Sequence, residues 1–200
     1  MLLLASNSPR RAELLKKTGI EFYQWAPDYD EFFPNTEDIR DAAIELSKNK
    51  LQQVMKYEIT KKFALVLTAD TIIEINGMVL GKPENKKEAK RFLSLLSGKE
   101  HRVITSLCLY NKENSKIISD AETTYVKFSS LSDEEIESYT NTKEWRGAAG
   151  AYRIQGMGEL FIEWIKGTYS CVMGLPLSCF YGILRKINFP YRKIFRPLDE

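Results

Sequence analysis

Apolar runs broken by polar turns, and stripes repeating at helical spacing, order this chain into alternating strands and helices. Leu2–Ala5 is an apolar run of strand length that enters the turn Ser6-Asn7-Ser8-Pro9. The next residues, RRAELLKKTG, read as a helix with Ser8 as N-cap, Pro9 at the first helical position and Gly19 closing the end. EFYQWAPDYDEFFPNTED, punctuated by Pro27 and Pro34, predicts a short strand followed by a loop. Residues 37–57 form a helical pattern with acids early, lysines late, and Ile39, Ala43, Leu46 and Lys50 along one face. FALVLTA is a continuous apolar run of the kind buried on both faces. It meets Asp70, continues as the β-branched run IIEI, and returns through a hairpin at Asn76-Gly77. Asn85 with Glu88 predicts a capping box and a helix ending at Gly98. VITSLCLY and KIISDAETTYVKF predict two long antiparallel strands, Ser132 with Glu135 boxes another helix start, and LFIEWI predicts a strand. A final helix follows the turn at Gly174, with Pro176 early in it, and the tail from Asn188 reads as an extension packed on the surface.

Two hundred residues suit one domain, here one domain of two lobes over 1–200 with a C-terminal extension from 187. Lysine and arginine number 29 against 27 acids, a balance that gives no sign of a nucleic-acid or membrane partner. Cys108, Cys171 and Cys179 lie in apolar surroundings without paired spacing, which points to a reducing compartment. The apolar opening is too short for a signal peptide, and no segment reaches the ~18 to 20 apolar residues of a membrane span. A cytoplasmic protein is the expectation.

Candidate chemistry begins where local rules are broken. A helix start carries partial positive charge, yet Arg10 and Arg11 occupy the first turn after Ser8. They either point to solvent or, with the hydroxyl-rich turn, cradle a polyphosphate. Glu31, with Asp30, is either part of a solvated acidic loop or a hard oxygen site for a divalent cation. Lys50, on or beside an apolar face, snorkels by default or else reaches a buried anion. Asp70 reads as functional, because a carboxylate in an apolar strand is costly unless paired, hydrogen-bonded or metal-bound. His101 is the single histidine and reads as structural. Glycines 147, 150, 156 and 158 lack the spacing of a Walker A or dinucleotide fingerprint. They let the backbone approach a ligand closely, while Gln155 among them has the donor and acceptor to read a base edge.

The blocks LASNSPRRAELL, PDYDE, ELSKNK, TADTIIEINGMVLGKP, LLSGKEHRVIT and GAAGAYRIQGMGELFIEWIKGTYSCVMGLPL, in that order, resemble the Maf family from about residue 2 to residue 187. The resemblance implies an α/β fold with a long mixed sheet bent around a central cleft between two lobes. It also implies a pyrophosphatase that cleaves nucleoside triphosphates to monophosphate and pyrophosphate. It sets Ser6, Arg10 and Arg11 at the phosphates, Arg10 being linked also to substrate choice. It matches Glu31 and Lys50 to the acid of the proline loop and the lysine of the long helix, and Asp70 to the proton acceptor. Lys82 matches the lysine of the G-K-P block, and Thr71 and Gln155 match positions tied to base specificity. The AGAYRIQG form resembles the branch acting on dTTP and UTP, while a sister branch resembles 7-methyl-GTP pyrophosphatases. One departure is Ala148, where the family often has a lysine.

The implied cofactor is a divalent cation, Mg2+ with Mn2+ or Co2+ as substitutes, held by Asp70 and Glu31. The implied partner is a small-molecule nucleoside triphosphate, with a homodimer left open and neither nucleic acid nor membrane expected. A pyrophosphatase for modified nucleotides, and a non-hydrolysing nucleotide-binding regulator of division and septum formation, are the competing functions.

Overall fold

The computed structural model describes residues 1–27, 34, 36, 38–190 and 194. Glu31 with Asp28 and Asp30, and Arg192, Lys193 and Arg196 of the tail, lie outside the described residues. The strands are β1 (Leu2–Leu4), β2 (Phe22–Gln24), β3 (Leu65–Ile75), β4 (Met78–Leu80), β5 (Glu100–Asn111), β6 (Lys116–Phe128) and β7 (Ile162–Lys166). The helices are α1 (Pro9–Lys16), α2 (Ile39–Val54), α3 (Lys86–Leu96), α4 (Asp133–Asn141), α5 (Tyr169–Met173) and α6 (Leu177–Lys186). The strands make one mixed sheet in the order β2-β1-β3-β5-β6-β7, with β4 also on β3. β1 runs parallel to both β2 and β3, whereas β4 and β7 pair antiparallel to β3 and β6. The expected α/β class with a mixed sheet flanked by helices is observed.

The chain divides into two compact units. The first comprises Met1–Asp70, Thr105–Glu122 and Gly174–Glu200, and the second Thr71–Ile104 and Thr123–Met173. In the first, α2 packs over the start of the sheet. Leu51 and Val54 of the helix meet Leu3, Val66, Phe63 and Cys108, with Trp25 and Tyr110 against the cluster. Each fully buried aliphatic side chain contributes about 1.5–3 kcal/mol relative to exposure. Buried hydroxyls fix the helix in register: Thr68 Oγ1 donates to the Ser47 carbonyl at 2.7 Å, and Ser106 donates to that of Ala43. Burial also pushes the Cys108 thiol up to about 12, so it stays an unreactive thiol. The described cysteines form no disulfide.

In the second unit the core is aromatic. Phe128 stands edge-on to His101, Tyr152 and Phe161, and Tyr139 packs edge-on against Phe161 at 5.0 Å. His101 Nε2 lies 2.9 Å from the Tyr152 hydroxyl, and its Nδ1 is buried without a hydrogen-bond partner. His101 is therefore part of a core, as expected, and lies inside β5 rather than before it. Burial lowers its pKa from 6.5 to about 3. The folded state then refuses a proton that the unfolded chain accepts, so stability is complete above pH 6.5 and falls as pH drops toward 3. By pH 5 the loss from this one group is about 2 kcal/mol. Urea unfolding of wild type and His101→Gln at pH 7 and pH 5 checks this: the wild type should lose about that much more than the variant. Equal losses would acquit the histidine.

Several predicted boundaries shift. β3 is one unbroken strand of 11 residues that runs on through Asp70, as the continuing β-branched run suggested. α2 begins after its N-cap Asp38 and stops at Val54, short of 57. Asn85 caps α3 through the Glu88 amide, but the Glu88 carboxylate returns to the amide of Glu84, so the expected reciprocal box is not closed. The box at Ser132 and Glu135 is closed in both directions. Leu160 and Phe161 belong to a 3-10 turn, Met157–Phe161, and β7 starts only at Ile162. The final helix after Gly174 forms as read, as α6 with Pro176 at its N-cap, and a short helix, α5, that was not foreseen precedes Gly174. The Asn76-Gly77 hairpin forms as read, with φ of 51° and 79° at the two turn residues. Its turn is further held by Glu74, which accepts from the Gly77 amide and from Arg102 Nε.

Candidate active site

The first unit builds its polar centre from the chain's opening turn outward. β1 ends at Leu4, and Ala5 N still donates to Leu67 O of β3 at 2.8 Å, which ties the turn to the central strand. Ser8 caps α1 by accepting from the Arg11 amide, and Pro9 takes the first helical position as its missing N–H allows. Gln24, at the end of β2, donates to the carbonyls of Ser6 and Ser8 at 2.8 and 3.2 Å. That strap was not foreseen: a polar residue ending a short strand carries no signal until the strand pairs beside the turn.

Arg11 does not point to solvent. Its Nη1 donates to Ser6 Oγ at 3.2 Å and to the Ala69 carbonyl at 2.8 Å, and its Nε donates to the Gly174 carbonyl at 3.0 Å. One guanidinium thus joins the opening turn, the residue beside Asp70 and the loop before α6. The fixed fork of donors makes this possible where a lysine's single ammonium could not span it. Arg10, in the same first turn of α1, is half-buried.

Lys50 overturns its default reading. Rather than snorkelling, its Nζ donates to Asp70 Oδ1 at 2.8 Å, with each side chain only 9% exposed. Side chains alternate along a strand, so Thr68 and Asp70 leave β3 on the face that α2 covers. This is why a lysine on the apolar stripe of α2 finds a carboxylate on an otherwise apolar strand. Taking two charges out of water is costly, and mutual attraction repays it only with good geometry. The pair fixes one carboxylate oxygen of the residue that follows Ala69, whose carbonyl Arg11 holds. Arg11 is thus bonded to Ser6 and to the carbonyl of Ala69, and Lys50 to Asp70, the next residue along β3.

The second unit carries Thr71, Lys82 and Gln155. Thr71 follows Asp70 in β3 and leaves it on the opposite face. Lys82 is exposed in the segment after β4, next to Gly81, whose carbonyl accepts from Gly150 N at 3.0 Å. The G-K-P and AGAY blocks, distant in sequence, thus touch. Gln155 is half-buried in the loop before the Met157–Phe161 turn. Ala148, in the position of the common family lysine, is 3% exposed, so its small side chain suits a packed environment.

Among the described residues, no group of three or more His, Cys, Asp or Glu side chains gathers to hold a metal ion. A cage made wholly of protein is not what Mg2+ uses. It is held by one or two carboxylates together with substrate phosphates, and a hard carboxylate such as Asp70 fits that donor set.

A family model described as Maf-like protein matches residues 1–187 of this chain. The chain belongs to the Maf family. Among similar proteins, one of Fusobacterium nucleatum is 41% identical over 188 residues, covering 94% of this chain and 96% of the relative. One of Caldicellulosiruptor bescii is 40% identical over 193 residues, covering 96% and 97%. One of Pyrococcus horikoshii is 41% identical over 181 residues, covering 89% and 92%. All three are named dTTP/UTP pyrophosphatase. The Maf blocks quoted above thus fall within the matched span, and nearly all of the described chain is Maf sequence. No helix among its described residues is long and apolar enough to cross a membrane.

Proposed function

We propose that this Maf-family chain hydrolyses dTTP and UTP to the nucleoside monophosphate and pyrophosphate, acting in the cytoplasm on the free nucleotide pool. The observation that carries the reading is the buried Lys50–Asp70 pair at 2.8 Å, with Asp70 next in the chain to Ala69, whose carbonyl Arg11 holds. The names of the relatives support the same substrates. A protein that only bound nucleotide would need cations for the phosphates but no poised carboxylate.

In this mechanism water attacks the α-phosphorus. Asp70 orients that water and takes its proton, and the bond from the α-phosphorus to the bridging oxygen breaks, releasing pyrophosphate. Arg10, Arg11, Lys50 and Lys82 stabilise charge on the departing group through their positive charges, lysine acting as a point charge. Ser6 adds a hydroxyl donor to the phosphates. Mg2+, brought on the triphosphate, would neutralise phosphate charge and polarise the reacting centre, with Asp70 and Glu31 the carboxylates assigned to hold it. Thr71 and Gln155 read the pyrimidine edge, since polar groups left unpaired by a wrong base discriminate strongly.

Pyrophosphate release over dTTP, UTP, CTP, dATP, dGTP and 7-methyl-GTP, with and without Mg2+ or Mn2+, tests the proposal. Release should be fastest with dTTP and UTP and should need the metal. Saturable binding without pyrophosphate release would replace the enzyme by a binder, and preference for 7-methyl-GTP would move it to the sister branch. On the same panel Gln155→Ala is expected to compress the preference for pyrimidines about tenfold while slowing dTTP turnover less. Unchanged relative rates would take Gln155 out of base selection.

A further inference from the structure

The Arg153–Phe161 stretch contains Gln155, and a carboxylate from outside it binds its turn. Glu144, just past α4, accepts at Oε1 from Gly158 N at 3.1 Å and from the Tyr139 hydroxyl at 3.0 Å. Its Oε2 accepts from Met157 N at 3.1 Å. Three donors converge on one side chain, and two of them are main-chain amides two and three residues beyond Gln155. Glu144 is itself anchored, since its amide donates to Thr142 Oγ1 at 3.2 Å and that hydroxyl donates to Tyr139 O at 2.7 Å. Burial and the neighbouring Glu144 charge raise the Tyr139 phenol far above its ordinary value, so it remains a donor throughout the working pH range.

The glycines of the Q-G-M-G segment now have a physical reason. A Cβ at Gly156 would stand 2.5 Å from Glu144 Oε2, and one at Gly158 would stand 2.8 Å from Arg153 O. The close neighbours that demand glycine here are the protein's own groups. Hydrogen bonds to a charged acceptor are roughly twice as strong as neutral ones. The turn is therefore held more firmly than a loop of small residues would be by itself.

We propose that Glu144 is a positioning residue for base selection: by gripping the 157 and 158 amides it fixes the backbone that aims Gln155. This rests on the base-reading role proposed for Gln155. Its test is a cycle of E144Q and Q155A, with G156A as an independent way to displace the carboxylate. Gly156 has a negative φ of −130°, and the methyl that alanine adds there would meet the Glu144 carboxylate.

Rates are measured at 15 °C on dTTP and dGTP, on samples whose melting curves show a folded protein. E144Q and G156A should each raise KM for dTTP and lower the dTTP-to-dGTP ratio of kcat/KM about tenfold, with kcat on dTTP within about threefold of wild type. In the Q155A background, E144Q should change that ratio less than twofold, because the group it positions is gone. Should E144Q be unfolded, G156A in both backgrounds carries the same comparison. A wild-type ratio in E144Q or G156A, or an equal loss in the presence and absence of Gln155, overturns the inference. A wild-type protein that releases pyrophosphate without any base preference overturns the base-reading proposal itself, a distinct failure visible before any variant is made.

Discussion

Asp70→Asn should lower turnover of dTTP at least ~10²-fold, the low end of what a positioned general base contributes. Asparagine keeps the shape and one oxygen able to accept from Lys50 Nζ, so the 2.8 Å contact can persist. What is lost is the charge, and with it the capacity to take a proton from water or to hold a hard cation. The loss should fall on kcat, with KM for dTTP within a few-fold, because an interaction made only in the transition state is removed. Steady-state pyrophosphate release at saturating dTTP and Mg2+ measures it. Near-wild-type turnover would remove Asp70 from the chemistry and leave the pair as architecture.

Lys50→Met isolates the architecture. Methionine follows the lysine stem's path along the apolar face of α2, but leaves the Asp70 carboxylate buried without its ammonium. Removing one partner of a buried ion pair costs about 3–5 kcal/mol, and at this chain length each kcal/mol moves Tm by roughly 2–4 °C. A Tm about 10 °C below wild type is therefore expected. The double variant Lys50→Met, Asp70→Leu should recover most of that stability, since an apolar pair of similar volume has no charge to desolvate. Its activity should stay absent. A single variant melting within 2 °C of wild type would mean that water or another partner already compensates the carboxylate.

Much of the architecture was legible because local rules and the fold agree. Ser8-Pro9 starts α1, Ser132 with Glu135 starts α4, and Asn76-Gly77 turns β3 into β4, each by chemistry contained in a few adjacent residues. Boundaries failed where a competing hydrogen bond or turn won. The Glu88 carboxylate is drawn to the Glu84 amide, and Leu160 and Phe161 are turned out of β7 by the same 3-10 turn whose first amides Glu144 captures. Asp70 was singled out as a costly charge in an apolar strand, but its partner could not be read. Lys50 and Asp70 are 20 residues apart, and only the pairing of β3 with α2 brings them together. Periodicity placed Lys50 on the apolar face and could not say what faced it.

By itself the sequence determined the strand and helix order, the caps, the hairpin, and a set of cations and acids in blocks that belong to the Maf family. Those are properties of short windows, where backbone preference and side-chain spacing act over a few residues. The tertiary structure alone decided that Arg11 turns inward to three chain segments, that Gln24 straps the opening turn, and that Glu144 grips the turn after Gln155. Each is a polar group satisfied by a partner distant in sequence, and burial, which makes an unmet hydrogen bond costly, is known only once the chain has closed on itself.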